Sequence, residues 1–226
     1  MADHPLVRMV SLMDHSPGIG QYRDMARYRV LRQKQQQMSD TAVDARIAEL
    51  LERRARLREP QRRWLLDRLA HRDLPLASHD DDEIAEVARN ARDGIRISEF
   101  PVTLAAAQAA REIGVEIIAG APNIVRGGSH SGNVAVTELI AAGAVDALAS
   151  DYVPAALIEA AFTAATGTGI GLPAAVAMIT DRPARMARLA DRGRLEAGLR
   201  ADLVRLAAIG AIPVVREVWR GGARVA

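Results

Sequence analysis

The chain has 226 residues, of which 49% are hydrophobic and 26% charged, and its formal net charge is +2. This is enough for one domain with a sizeable core; the lack of cysteine excludes disulfides, and the 3% aromatic content argues against a stacking surface for nucleic acid. There is no signal-peptide pattern and no apolar run long enough to span a membrane, so we expect a cytoplasmic protein with no nucleic-acid and no membrane partner.

The first predicted element is a β-strand over residues 6–13, followed by a turn marked by Pro17 and Gly18. His15 lies just beyond this strand, where its side chain is well placed to bind a metal or to act as a general base. A capping or surface histidine is the alternative interpretation of the same position.

Residues 21–69 are rich in Arg, Gln, Glu and Ala, and they are almost free of Gly and Pro up to Pro60. The helical spacing of apolar residues within residues 44–57 predicts two or three helices with solvated faces. A basic helix of this kind could contact nucleic acid, but its basic and acidic residues interleave, which favours a surface helical insertion.

A short strand over residues 74–78 leads into His79 and then into an acidic run. Within that run, Asp80 or Asp81 is predicted to cap a helix over residues 83–93. His79 stands at a strand end, as the earlier histidine does. Two histidines at equivalent strand ends indicate a metal site far more strongly than either histidine alone.

Strands and helices alternate through the rest of the central segment, which implies parallel βα units. Glu99, near one strand exit, is interpreted either as a packed barrel residue or as a substrate contact. Pro183 lies within or between the last predicted helices. Strands are predicted over residues 95–100, 115–119 and 145–149, and helices over residues 102–113, 134–142, 155–165 and 172–189.

Residues 114–154 concentrate the polar groups that an active site needs. A polar, glycine-rich loop follows the first strand of this stretch, and Asp151 follows the second. A carboxylate at a strand end, beside a loop with Arg, His, Ser and free glycine N–H groups, suits metal-assisted chemistry on a phosphorylated substrate. The tail differs, because short β runs over residues 201–206 and 213–219, and then residues 223–226, predict a small β unit.

Five sequence blocks carry a resemblance to a known family: MVSLMDHSPG, LASHDD, SEFPVT, GAPNIVRGGSHSGN and LASDYVP. They resemble the amidohydrolase superfamily, and within it the diphosphatases of the carbon–phosphorus lyase pathway. The resemblance implies an α/β fold, namely the C-terminal part of an amidohydrolase-type (β/α)8 TIM barrel plus a short β-sandwich tail. The barrel part would cover residues 1–190, with strands 5–8 and a helical insertion at about 21–69, and the tail residues 191–226.

The resemblance also implies a divalent metal site, with Zn²⁺ as the first candidate and Mn²⁺ as the alternative. Its metal ligands would be His15, His79 and Asp151, and Asp151 would also be catalytic by taking a proton from the nucleophilic water. Substrate binding would fall to the glycine-rich loop, which looks like a cradle for a triphosphate and comprises Arg126, Gly127, Gly128, Ser129 and His130.

The implied activity is hydrolysis of a triphosphorylated ribosyl phosphonate to its 5-phosphate, with release of diphosphate. Cyclic amide hydrolysis or deamination on the same site is the second hypothesis, and an inactive remnant that acts as a binding subunit is the third. The resemblance also implies an HxH pair of metal ligands on the first barrel strand and a Lys or Glu ligand on the fourth. The third hypothesis arises because the chain has no HxH pair, and its sole lysine, Lys34, lies in a predicted helical segment. We therefore expect the chain to correspond to the C-terminal part of a family protein. Its active site would be completed by an N-terminal half chain or in a homodimer.

Overall fold

The computed structural model describes residues 4–129, 132–210 and 212–226. The chain divides into two compact units, residues 1–115 and 116–226, which are described separately. Both units contain parallel strands connected through helices, so the predicted α/β fold class is confirmed. Within the described ranges, no helix is both long enough and apolar enough to cross a membrane.

The first unit contains three parallel strands in chain order, β1 (Val10–Leu12), β2 (Leu76–His79) and β3 (Ile97–Glu99). In the register, Ala77 of β2 is opposite both Ser11 of β1 and Ile97 of β3. Parallel neighbours require long crossover connections, and these are helical here. The carboxyl ends of the three strands therefore lie on one edge of the sheet.

The connection from β1 to β2 is the predicted helical insertion, and it consists of two helices, α1 (Met25–Gln36) and α2 (Asp40–Leu69). Asp24 and Ser39 cap their N-termini through side-chain oxygens that accept backbone N–H bonds. Pro60 does not end α2, although a proline inside a helix removes one backbone hydrogen bond. A small apolar cluster, Tyr28, Val43 and Ile47, packs the two helices together.

Two shorter helices, α3 (Ile84–Arg92) and α4 (Leu104–Glu112), flank β3 in the chain. Gly94 and Gly114 follow them with φ of 85° and 73°, a backbone region that favours glycine. These two glycines therefore follow the ends of α3 and α4.

The second unit begins with a parallel pair, β4 (Glu116–Gly120) and β5 (Ala147–Ala149). The stretch after β4 was predicted as a loop, and that prediction is wrong for its first residues. They form a short helix, α5 (Ala121–Val125), because Pro122 in its first turn has no N–H to satisfy and already has a helical φ. The predicted helix before β5 is present as α6 (Val136–Ala141).

Three helices follow β5: α7 (Ala156–Gly167), α8 (Leu172–Ala177) and α9 (Asp181–Met186), the last of which contains Pro183. The tail forms an antiparallel sheet with the order β6 (Leu203–Ile209), β7 (Ile212–Arg220) and β8 (Ala223–Arg224). This small sheet agrees with the β unit predicted for the tail.

Candidate metal centre

Three side chains with metal-binding atoms meet at the strand exits of the first unit. They are His15, His79 and Asp80, and their ligand atoms all lie within 4.8 Å of one another. Asp80 Oδ2 is 3.4 Å from His15 Nε2 and 3.1 Å from His79 Nδ1. The fold thus brings together the two histidines predicted from the sequence, and it adds a carboxylate that the sequence did not assign to them.

The environment of this group is mostly buried. The side chains of His79 and Asp80 are only 9% and 7% exposed, whereas that of His15 is 43% exposed and opens the group to solvent. Burial acts to raise the pKa of Asp80, but the two imidazoles outweigh it, and the pKa lies below its ordinary value. The carboxylate is therefore ionised at neutral pH.

The donor set fits a divalent transition metal. Imidazole nitrogen and carboxylate oxygen are ligands of Zn²⁺, and a catalytic zinc site typically takes three protein ligands and leaves one position open. The residues present in the first unit therefore fit the group that the sequence resemblance implies.

The predicted helix-capping role of Asp80 or Asp81 is wrong. The residue that precedes α3 is Glu83, and no side-chain cap bond forms there. Asp80 instead faces the histidines, because its left-handed backbone, with φ of 59°, turns it away from the helix. The acidic run leaves β2 as an irregular segment before α3 begins, which separates these carboxylates from the helix N-terminus.

Asp81 is the centre of a buried hydrogen-bond network beside the candidate metal centre. Its Oδ2 accepts bonds from the hydroxyls of Ser78 and Ser98, each at 2.5 Å, and its Oδ1 accepts one from Asn90 at 2.8 Å. Asp81 is 1% exposed, and a buried carboxylate requires partners of this kind. The network fastens the exit of β2 to both β3 and α3.

Arginines on one face of α2 reach the same region. Arg54 donates from Nε to Asp14 Oδ2 at 2.8 Å, and Arg58 Nε lies 3.1 Å from the same oxygen. One turn further along the helix, Arg62 donates to Asn90 Oδ1 at 2.8 Å. The helical insertion was interpreted as a solvated surface feature, but this face of α2 is bonded to residues directly beside the candidate metal centre.

A cavity of about 480 Å³ lies between α2 and the ends of β1 and β2, and His15 and His79 line part of it. Its volume is in the usual range for small-molecule sites. Arg54 and Arg58 contribute charge to its wall, and Leu57 contributes apolar surface.

Glu99 has a defined contact in this unit. Ser11 donates a hydrogen bond from Oγ to Glu99 Oε2 at 2.7 Å, and so links β1 to β3 across β2. This bond agrees with the interpretation of Glu99 as a packed residue at a strand end.

The other predicted site residues belong to the second unit. Asp151 follows β5 and has a left-handed φ of 48°. Arg126 ends α5 and donates a hydrogen bond to the Tyr152 hydroxyl at 2.9 Å, so the loop is tied to the residue after Asp151. Gly127 and Gly128 have positive φ and open space where a Cβ would stand. Ser129 follows them, and His130 lies outside the described residues.

The fold and the His-His-Asp group define a class of protein. The chain belongs to the amidohydrolase family, whose sequence model matches residues 2–226.

A curated relative supports the more specific resemblance. The chain is 43% identical, over 97% of its own length, to a protein of Escherichia coli named alpha-D-ribose 1-methylphosphonate 5-triphosphate diphosphatase. It covers 58% of that protein's length.

Solved structures agree on the fold. An amidohydrolase from Thermotoga maritima has a TM-score of 0.54 and 19% identity, with 90% of this chain and 52% of that chain covered. A. niger ochratoxinase has a TM-score of 0.55 and 18% identity, with 70% of this chain and 43% of that chain covered. At these identities the similarity concerns the fold alone.

Proposed function

We propose that the chain is part of a metal-dependent, cytoplasmic diphosphatase of phosphonate catabolism. Its reaction would cleave α-D-ribose 1-methylphosphonate 5-triphosphate to the 5-phosphate and diphosphate. The observation that carries the proposal is the meeting of His15, His79 and Asp80 at adjacent parallel strand ends, in a chain 43% identical to a diphosphatase.

In the first unit, His15, His79 and Asp80 offer the atoms that would hold the metal, with Zn²⁺ or Mn²⁺ as the ion. The sequence resemblance alone adds Asp151 as a ligand. A divalent metal bound there supplies Lewis-acid polarisation of a phosphoryl oxygen and lowers the pKa of a bound water. Asp151 accepts the proton of the attacking water in this proposal.

The loop after α5 would bind the triphosphate. The Arg126 guanidinium offers charge-assisted hydrogen bonds, Gly127 and Gly128 allow phosphate oxygens to approach the backbone N–H groups, and Ser129 and His130 add polar contacts. The bond from Arg126 to Tyr152 supports this role, because it holds the guanidinium at the residue that follows Asp151 in the chain. Uncharged cyclic amides would have no use for such a loop.

We propose further that this chain works with residues of the family protein that it does not span. They would come from an N-terminal half chain, or the site would be completed in a homodimer. Support comes from the absence of an HxH pair in the sequence and from the 58% coverage of the relative.

The test is product analysis with the triphosphorylated ribosyl phosphonate and Zn²⁺ or Mn²⁺. The chain is assayed alone and after co-expression with the part of the E. coli relative that it does not match. We expect diphosphate release from the co-expressed sample and little from the chain alone. Orthophosphate as the first product, or no turnover in either sample, would contradict the proposed reaction. Robust turnover by the chain alone, as a monomer, would refute the need for further residues.

A further inference from the structure

One face of α2 forms a wall of the cavity beside the candidate metal centre. Its lining residues recur at spacings of three and four residues, so they share one side of the helix. Among the described residues, four arginines and three carboxylates line the cavity, so its ionised groups carry an excess of positive charge at neutral pH. The arginines are Arg53, Arg54, Arg58 and Arg62, and the carboxylates are those of Asp14, Asp81 and Glu86.

Two of these arginines have donors that no described residue uses. Arg54 donates from Nε to Asp14 Oδ2 at 2.8 Å, and its terminal nitrogens Nη1 and Nη2 have no partner in the part of the chain that the structure describes. Arg53 makes no hydrogen bond or ion pair with any described residue. Arg58 and Arg62, by contrast, are bonded to acidic residues through several nitrogens.

Asp14 holds the Arg54 guanidinium in place. Both carboxylate oxygens of Asp14 are bonded, since Oδ1 accepts from Ser16 Oγ at 2.6 Å and Oδ2 accepts from Arg54. The Arg54 side chain is 27% exposed, so its charge is partly desolvated and a ligand can still reach it. A guanidinium that is oriented in advance loses little rotamer entropy when it binds an oxyanion.

Apolar side chains lie on the same wall. Leu50, Leu57 and Leu65 of α2 line the cavity, and so do Leu12 and Met13 at the end of β1. A ligand that suits this wall has an oxyanion for the guanidinium groups and a small apolar group for the leucines. A monoester of methylphosphonic acid has both, because it carries a methyl group on phosphorus and one negative charge shared by two oxygens. A triphosphate carries several charges and no apolar group.

We infer that the face of α2 with Arg53 and Arg54 is the subsite for the methylphosphonate ester group of the substrate. Arg54 binds the two charged oxygens through its terminal nitrogens, the bidentate geometry for which arginine is preferred over lysine. The inference rests on the proposed function, which supplies the substrate. It assigns recognition of the phosphonate end to the helical insertion, whereas the proposed triphosphate contacts belong to the loop after α5.

The test is binding of α-D-ribose 1-methylphosphonate, the substrate without its triphosphate, to the metal-free full chain. A ³¹P NMR titration measures the dissociation constant without catalysis. The double variant Arg53→Gln/Arg54→Gln should lose about 10–100-fold in affinity, the range for a charge-assisted hydrogen bond. The matched control is Arg56→Gln/Arg63→Gln, which makes the same change in net charge at two exposed arginines of α2 outside the cavity. The control should bind as the wild type does.

Two further probes define the class of ligand. The double substitution at Arg53 and Arg54 should leave binding of an uncharged methyl riboside and of inorganic triphosphate unchanged. A loss of triphosphate affinity as large as the loss for the methylphosphonate would assign the wall to the triphosphate and overturn the inference. Equal losses in the two double variants would reduce the effect to net charge and would also overturn it.

The wild-type spectra supply a second measurement that holds even if the double variant fails to fold. On addition of α-D-ribose 1-methylphosphonate, the Nε–H signals of Arg53 and Arg54 should shift, and those of Arg56 and Arg63 should not. No binding by the wild type, or shifts only at Arg56 and Arg63, would overturn the inference. Failure of diphosphate release with the ligand still bound at Arg54 would refute the proposed reaction and leave the subsite standing. Diphosphate release with no effect of the double substitution on binding would refute the subsite alone.

Discussion

Asp80 has a left-handed φ at the exit of β2, and Asp151 has one two residues after β5. Non-glycine residues in this region often mark functional sites, because the strain is tolerated where the fold requires one side-chain direction. The sequence predicted strand-end positions for His15 and His79, because a polar residue directly after an apolar run is visible in the sequence. It could not predict Asp80, since the run of three aspartates looks like a helix start, and only the backbone conformation separates their roles.

Gly20 offers a test of this arrangement at the scale of one residue. Gly20→Ala introduces a Cβ that would meet Asp80, whose Cβ is 2.9 Å and whose carbonyl oxygen is 3.0 Å from its position. We expect the zinc affinity to fall, together with a loss of about 1–2 kcal/mol in the free energy of unfolding from the positive φ. Calorimetric titration and urea unfolding measure the two effects.

The control is Gly18→Ala, which carries a similar backbone penalty, with φ of 84°, but whose Cβ would meet only the Met25 sulfur at 3.5 Å. It should lose stability while its zinc affinity stays near that of the wild type. Equal zinc affinities for the two variants would mean that the contact with Asp80 has no influence on the metal centre.

At the scale of elements, α2 is the clearest difference between what the sequence suggested and what the structure shows. Arg54, Arg58 and Arg62 recur every four residues and so share one helix face. That spacing was available in the sequence, but the partners were not, because Asp14 and Asn90 are 40 and 28 residues away from Arg54 and Arg62. Long-range ion pairs leave no periodic signal, and interleaved charges alone therefore indicated only a solvated face.

The α5 helix and the loop after it carry the prediction for substrate binding. Arg126→Ala should weaken binding of inorganic triphosphate by about 1.5–3 kcal/mol, the range for a charge-assisted hydrogen bond, and leave binding of an uncharged methyl riboside unchanged. Tyr152→Phe removes the hydroxyl that accepts from Arg126 but keeps the guanidinium, so its loss should be smaller. Calorimetry with both ligands measures this, and equal losses for both would make Arg126 a structural residue.

At the scale of the whole molecule, the order of elements was largely predictable. Apolar runs of strand length and the alternation of strands with helices predicted the parallel βα units and the β tail. Boundaries were less predictable: β1 is three residues long where an eight-residue strand was expected, because Leu6 and Met13 at the ends of the apolar run are exposed and do not pair. The last predicted helix, over residues 172–189, is instead two helices, α8 and α9, because the chain turns between them.

The central claim is that this amidohydrolase chain binds a divalent metal through His15 and His79. The most direct measurement is calorimetric titration of Zn²⁺ into three proteins: the wild type, the double variant His15→Ala/His79→Ala, and the control His4→Ala/His71→Ala, which removes two exposed histidines outside the group. We expect the first double variant to lose more than about 100-fold in affinity, because loss of outer partners alone costs about 10–100-fold. The control should bind as the wild type does. Equal affinities for all three proteins would contradict the metal centre and the function built on it.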